Sequence, residues 1–208
     1  MILLVRHGRT PTTGKVLPGR APGLHLSDEG RAEADAVATR IAALRTDGRR
    51  APVAVYASPL DRTMETAQPI AKAVGLRVRR EPGLLDCDFG TWAGARLAVL
   101  ARRREWPQVQ RWPSGFRFPG GESFAEMQAR VTDTLARLCE RHRGETIVAV
   151  SHADTIKAAI ADAAGTHLDL FQRFVVNTCS VSTLAFGPGG PHVLGVNSTS
   201  ALSELAIA

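Results

Sequence analysis

Cysteine and lysine are scarce in this chain. The three cysteines, Cys87, Cys139 and Cys179, are odd in number and widely spaced. That argues against a disulfide framework and for a reducing, cytoplasmic setting. No Cys-x-x-Cys occurs, and His25, His142, His167 and His192 show no paired ligand spacing, so no zinc or other metal site is implied. No window approaches the roughly 20 apolar residues that span a bilayer. The apolar run at the N-terminus, Ile2 to Val5, is short and broken by Arg6 and His7, which does not fit a signal peptide. Membrane partners are therefore not expected. Lys15, Lys72 and Lys157 are the only lysines, so the basic charge is carried by arginine, whose rigid fork matches phosphate and carboxylate.

What is present suits an ordinary globule. The 208 residues are 44% apolar and 22% charged, enough for one domain, 1–208, with a substantial core. The net charge of +6 is compatible with nucleic acid, a membrane surface or an acidic small substrate. Heavy use of Ala and Arg equally fits a GC-rich genome. No nucleic-acid motif is found.

Strands and helices alternate, which predicts an α/β fold with a mostly parallel sheet and helices on its faces. Strands are expected at Ile2 to Val5, Val53 to Ala57, Leu76 to Arg80, Thr146 to Val150, Val181 to Phe186 and His192 to Val196, the last two turned by Gly187-Pro188-Gly189-Gly190. Ser27 reads as an N-cap with Asp28 and Glu29 in the first turn of a helix running to about Leu44. Ser58-Pro59 reads as a cap and first-turn proline for a helix closed by Gly75. Ser123 and Glu126 form a capping box ahead of the stripe Phe124, Met127, Val131, Leu135 and Leu138. A further helix follows Ser151-His152. The segment 93–121, rich in tryptophan, arginine and proline, reads as a cap insertion over a ligand or as an exposed helix and loop.

Three strand ends carry chemistry. Arg6 and His7 follow the first strand, Arg62 lies just beyond the second, and His152 follows Thr146 to Val150. In an open α/β sheet the carboxyl ends of the strands form one ligand-binding edge, beside helix N-termini that favour anions. Two arginines and two histidines there make a site for a tetrahedral anion.

The stretches LVRHG (Leu4 to Gly8), SPLDRTMETA (Ser58 to Ala67), DCDFGTWAG (Asp86 to Gly94), GGES (Gly120 to Ser123) and VSHAD (Val150 to Asp154) resemble, in order, the histidine phosphatase superfamily, in its phosphoglycerate-mutase-like branch. The resemblance implies a three-layer α/β/α sandwich and chemistry without metal or cofactor. It implies that His7 attacks phosphorus, that Arg6 and Arg62 grip the phosphoryl oxygens, that His152 donates to the same group and that Gly8 lets the backbone pass close to His7. Ser58 and Glu122 match positions near the pocket and are read as structural.

Two positions depart from the family pattern. The usual proton donor is a glutamate four positions before the glycine of FG-x-W. Here that residue is Asp86, with Asp88 as a rival and a site without a carboxyl acid as a third option. Where relatives often carry a phosphate-touching asparagine, this chain has Thr13, which either binds phosphate or caps its loop. Lys15 and Arg20 are read as solvated loop charges. Arg102 to Arg104 suit a helix surface or a phosphate gateway equally.

Phosphate monoesters hydrolyse so slowly that catalysis must supply on the order of 20 kcal/mol. Positioned charge and a nitrogen nucleophile that splits the reaction in two are the means at hand. The expected activity is metal-independent hydrolysis of a small phosphorylated metabolite through phosphohistidine on His7. A phosphomutase and a phospho-ligand-binding module that no longer turns over are the alternatives. The oligomeric state stays open, a homodimer being one option.

Overall fold

Ile2, Leu3, Leu4 and Val5 are all buried, as a strand covered on both faces requires. They belong to β1 (Ile2–Arg6), which joins β2 (Pro52–Ala57), β3 (Val78–Arg80), β4 (Thr146–Ser151), β5 (Val181–Gly187) and β6 (Gly190–Ser198) in one sheet. The computed structural model describes residues 1–44, 51–200 and 202. Of the single domain expected over 1–208, the other positions lie outside the described residues. The strand order is β3-β2-β4-β1-β5-β6. The first four are parallel, and β5 and β6 add antiparallel pairings at one edge.

The helices are α1 (Asp28–Ala43), α2 (Asp61–Val74), α3 (Leu97–Leu100), α4 (Trp106–Arg111), α5 (Phe124–Arg141) and α6 (Ala153–Ala163). Side chains alternate across a strand, and the core follows that alternation. Leu3, Val5, Val55 and Val148 pack with Val37 and Ile41 of α1 and Ile70 of α2. Ile2, Leu4, Ile147 and Ala149 face the other way, against Val131 and Leu135 of α5 and Ile156 of α6. Helices thus cover both faces of the sheet, as the alternation predicts, and the architecture is the three-layer α/β/α sandwich that the resemblance implies.

The caps at Ser27 and at Ser123 with Glu126 form as expected. The one at Ser58 does not. α2 begins two residues beyond Pro59, its N-cap position is Leu60, and no side chain caps it. The hydroxyl of Ser58 is instead turned to His152. β3 is shorter than expected, because only Val78–Arg80 reaches β2.

The segment 93–121 carries α3, α4 and a 3-10 turn, Pro113–Gly115. A third core holds it down, in which Leu100, Val109, Phe116 and Phe118 pack with Phe89, Trp92, Phe124 and Phe171. The rings of Phe116 and Phe118 each lie 5.5 Å from that of Trp92. Burial of each such side chain contributes about 1.5–3 kcal/mol, so the segment is a packed layer.

Candidate active site

The parallel register sets the position of each strand end. Arg6 of β1 pairs with Ser151 of β4, and the next residue, His7, donates its backbone N–H to the Ser151 carbonyl at 2.9 Å. On the other side of β4, Ser58 donates its backbone N–H to Val150 at 3.0 Å. His7, Ser58 and His152 therefore emerge from three adjacent strands at one edge of the sheet.

His7 is buried, and its Nδ1 lies 2.8 Å from the carbonyl oxygen of Gly8. A carbonyl only accepts, so Nδ1 carries the proton and Nε2 keeps its lone pair. Burial, then the charge of Arg62, pushes the imidazole pKa down to about 3, against the opposing bond to Gly8. The ring is neutral throughout the physiological range.

Arg62 has no solvent exposure. Its Nη2 donates to Gly19 O at 2.8 Å and to Asp86 Oδ2 at 3.3 Å, and lies 3.2 Å from His152 Nδ1. Its Nε and Nη1 have no partner, nor does Nε of Arg6. Arg6 is anchored through Nη1 to Val176 O at 2.7 Å. Burial lowers the pKa of both guanidiniums, opposed by Asp154 and Asp86 at Arg6 and by Asp86 at Arg62; guanidinium stays charged regardless. Unmet buried donors on two cations make a site short of an anion.

Asp86 is buried. Its Oδ1 accepts the N–H of Cys87 at 3.0 Å and its Oδ2 faces Arg62. Burial raises its pKa to about 7; Arg62 opposes the rise and the charge of Asp154 adds to it. Asp88, its rival, spends Oδ1 on the N–H of Gly90 and is absent from the residues lining the cavity. A cavity of about 190 Å³ is lined by Arg6, His7, Thr13 and Asp86, with Thr10, Thr12 and Asp154 among others.

His152 is buried behind this cavity, its ring 5.3 Å from that of His7. Both nitrogens are engaged. Nε2 lies 2.8 Å from Ser58 Oγ, and Nδ1 lies near Arg62 and 3.7 Å from Asp86 Oδ2. With Arg62 donating to Nδ1, the proton sits on Nε2 and goes to Ser58. The expectation that His152 points a donor into the site is thus not met in this tautomer. Burial and the charge of Arg62 hold its pKa well below the ordinary histidine value.

Gly8 is not among the residues lining the cavity. A Cβ there would meet Gly30 O of α1 at 2.5 Å, so its bareness serves helix packing while its carbonyl orients His7. Thr13 caps its loop and also faces the cavity. Its oxygen accepts the Thr10 N–H at 2.9 Å, and the residue lines the cavity. Lys15 is exposed. Arg20 is no solvated loop charge. It donates from Nε to the backbone oxygen of Asp86 at 2.8 Å and from Nη2 to Glu122 at 2.9 Å. Glu122 also accepts two bonds of 2.9 Å from Arg130, whose Nη1 reaches Gly83 O and Leu85 O. This clamp holds the Asp86 loop. Arg130 carries no sequence signal beyond a helical arginine, and Asp154 none beyond its place two residues after His152.

Among the described residues, no group of three or more His, Cys, Asp or Glu is placed to hold a metal ion. No described helix is long and apolar enough to cross a membrane.

The sequence model of the histidine phosphatase superfamily (branch 1) matches residues 2–199. The chain is 30% identical to phosphoserine phosphatase 1 of Hydrogenobacter thermophilus, over 99% of this chain and 96% of that one. It is 31% identical to an acid phosphatase of Mycobacterium tuberculosis, covering 90% and 87%. Among solved structures, a mutant phosphoserine phosphatase of Entamoeba histolytica in complex with phosphoserine superposes with TM-score 0.84 at 28% identity, covering 97% and 98%. YhfR of Bacillus stearothermophilus shares the fold at TM-score 0.86 and 23% identity, covering 96% and 98%.

Proposed function

The chain belongs to the histidine phosphatase superfamily, as a phosphatase of small phosphorylated metabolites, and we propose that its turnover runs through a phosphohistidine on His7. The observation that carries this reading is the pairing of a neutral imidazole with three buried, unpartnered guanidinium nitrogens of Arg6 and Arg62. In the first step Nε2 of His7 attacks phosphorus, the bond from phosphorus to the ester oxygen breaks, and Asp86 gives its proton to the leaving alkoxide. In the second, Asp86 takes a proton from water as the water attacks phosphorus. The phosphorus–nitrogen bond breaks, and inorganic phosphate leaves with His7 neutral again. Arg6 and Arg62 hold the charge that builds on the phosphoryl oxygens.

Asp86 suits both roles because its pKa lies near 7, where a proton is given and regained with least penalty. A dianion in the cavity raises it further by like-charge repulsion. Thr13 adds a hydroxyl to the phosphate site. Segment 93–121 caps it. The three cysteines, all free, support a cytoplasmic setting.

Acid-free, rapid alkaline quenching of enzyme mixed with p-nitrophenyl phosphate should trap one base-stable, acid-labile phosphoryl group on the peptide containing His7, and His7→Ala should release no phosphate. Turnover by that variant defeats the assignment. Transfer of phosphate back to an alcohol, in preference to water, would identify a mutase instead.

A further inference from the structure

The phosphate-sized cavity opens onto a larger one. Leu17, Phe89, Leu97 and Asp154 line both. The second has a volume of about 520 Å³, within the range of small-ligand sites. Its other walls are supplied mostly by the 93–121 layer and α5, through Ala98, Ala101, Trp106, Val109, Phe118 and Phe124. The leaving group of a phosphate ester held at His7 has this space beside it.

The charge of that space is one-sided. Its polar lining consists of Gln110, Gln172 and Asp154, and no arginine or lysine lines it. The 93–121 layer is not short of cations, since Arg102, Arg103, Arg104 and Arg111 all belong to it; all four are exposed, and Arg103 lies over the Trp92 ring at 5.2 Å. Lys157 approaches Asp154 at 3.7 Å and donates to Gln172 at 2.9 Å. It partly balances the carboxylate, as does Arg6, while the carboxylate is the member that lines both cavities. Asp154 sits in the first turn of α6, two residues after His152.

A leaving group bearing a carboxylate would meet Asp154 with no guanidinium to receive it, and like charges at such distances are strongly disfavoured in a site partly shielded from water. An apolar or aromatic body would instead cover Leu97, Trp106 and Phe118. Resting on the phosphatase reading, we infer that the substrate is the phosphate ester of an uncharged or cationic alcohol with an apolar body, selected by the aromatic cleft and by Asp154 against acidic esters.

Primary alkyl esters test this without differences in leaving-group reactivity. The set is 2-phenylethyl phosphate, ethyl phosphate and 3-phosphoglycerate, with p-nitrophenyl phosphate as a general reporter. The expected kcat/KM is highest for 2-phenylethyl phosphate, roughly tenfold above ethyl phosphate and on the order of 100-fold above 3-phosphoglycerate. Asp154→Asn should narrow the ratio of 2-phenylethyl phosphate to 3-phosphoglycerate by about tenfold. Using a ratio cancels any change that the variant makes to Asp86. 3-Phosphoglycerate turned over as fast as 2-phenylethyl phosphate overturns the inference and leaves the phosphatase reading standing. An unmoved ratio in Asp154→Asn removes Asp154 from it. No phosphate released from any ester, the reporter included, overturns the phosphatase reading and the inference together.

Discussion

Nδ1 of His7 lies 2.8 Å from the carbonyl oxygen of Gly8, the next residue in the chain. His7, the proposed nucleophile, is therefore oriented by its own backbone, and no carboxylate is spent on it. A carboxylate partner would raise the imidazole pKa and invite a proton onto the attacking nitrogen. A carbonyl fixes the tautomer at lower electrostatic cost, and burial beside Arg62 keeps the ring unprotonated.

Replacing Asp86 by Asn should separate the two ester classes. For an alkyl ester, whose alkoxide needs a proton, kcat should fall by roughly 10²–10⁴-fold. For p-nitrophenyl phosphate, whose leaving group departs as the anion, the first step should suffer far less. In the wild type kcat/KM for alkyl esters should decline as pH rises through about 7, where Asp86 loses its proton, and this limb should vanish in the variant. An alkaline limb that persists in Asp86→Asn would assign the acid elsewhere.

The stability of the fold should carry the signature of His7. Its folded pKa of about 3 lies below the ordinary value of 6.5, so the native state binds fewer protons than the unfolded chain between those values. Its contribution to stability is complete above pH 6.5 and is lost as pH falls toward 3. Asp86, raised from 3.8 to about 7, works in the opposite sense. Its contribution is complete below about pH 4 and is lost as pH rises through 7. Between about pH 4 and 6.5 the two nearly cancel, because folding moves a proton from imidazole to carboxyl. His7→Ala removes one side of that balance. Urea titrations should show the variant gaining on the wild type as pH falls below 6.5, approaching about 1.4 kcal/mol per pH unit.

Glu122 positions Asp86 without touching the cavity. Arg20 and Arg130 bridge the two, each donating to Glu122 and to the Asp86 backbone oxygen. Glu122→Gln should cost about 1–2 kcal/mol, discounted for its partial exposure, and should lower kcat for alkyl esters by roughly tenfold. The alkaline limb should also move. A loss of stability with an unchanged pH profile would mean that the clamp supports the fold only.

Inorganic phosphate should raise Tm, because it supplies the acceptor that Arg6 Nε and Arg62 Nε and Nη1 lack. At a concentration 100 times Kd the gain is about 2.7 kcal/mol. Arg62→Met should abolish the phosphate-dependent shift, and a shift of equal size with sulfate-free chloride would show general salt stabilisation instead.

Gly30→Ala should be poorly tolerated, since its Cβ would stand 2.0 Å from the Arg9 carbonyl oxygen. Overpacking of this kind costs typically 1–3 kcal/mol. It would also push the loop that follows His7. Calorimetry should show a lowered Tm, and an unchanged Tm would mean that α1 moves freely.

The α/β layering was legible because buried strands and amphipathic helices each write their period into the chain, as in ILLV at β1 and the stripe of α5. His7, Arg62 and His152 were legible as a set because parallel strands bring their carboxyl ends to one edge. What lay beyond reading was how side chains distant in the sequence pair with one another through packing. Ser58 looks like a helix cap until His152, 94 positions away, is seen to claim its hydroxyl. Arg20 looks solvated until Glu122 and the Asp86 carbonyl arrive beside it.

Local order thus sufficed for which chemistry this chain carries: an imidazole and two guanidiniums at or just beyond strand ends and a carboxyl in a loop, each within a motif of a few residues. Three-dimensional packing put Asp86 at the cavity and Asp88 away from it, each among its own neighbours. The reason is that a pKa and a hydrogen-bond partner depend on burial and on the nearest charges, and both are properties of the space around a residue, which a position in a string does not contain.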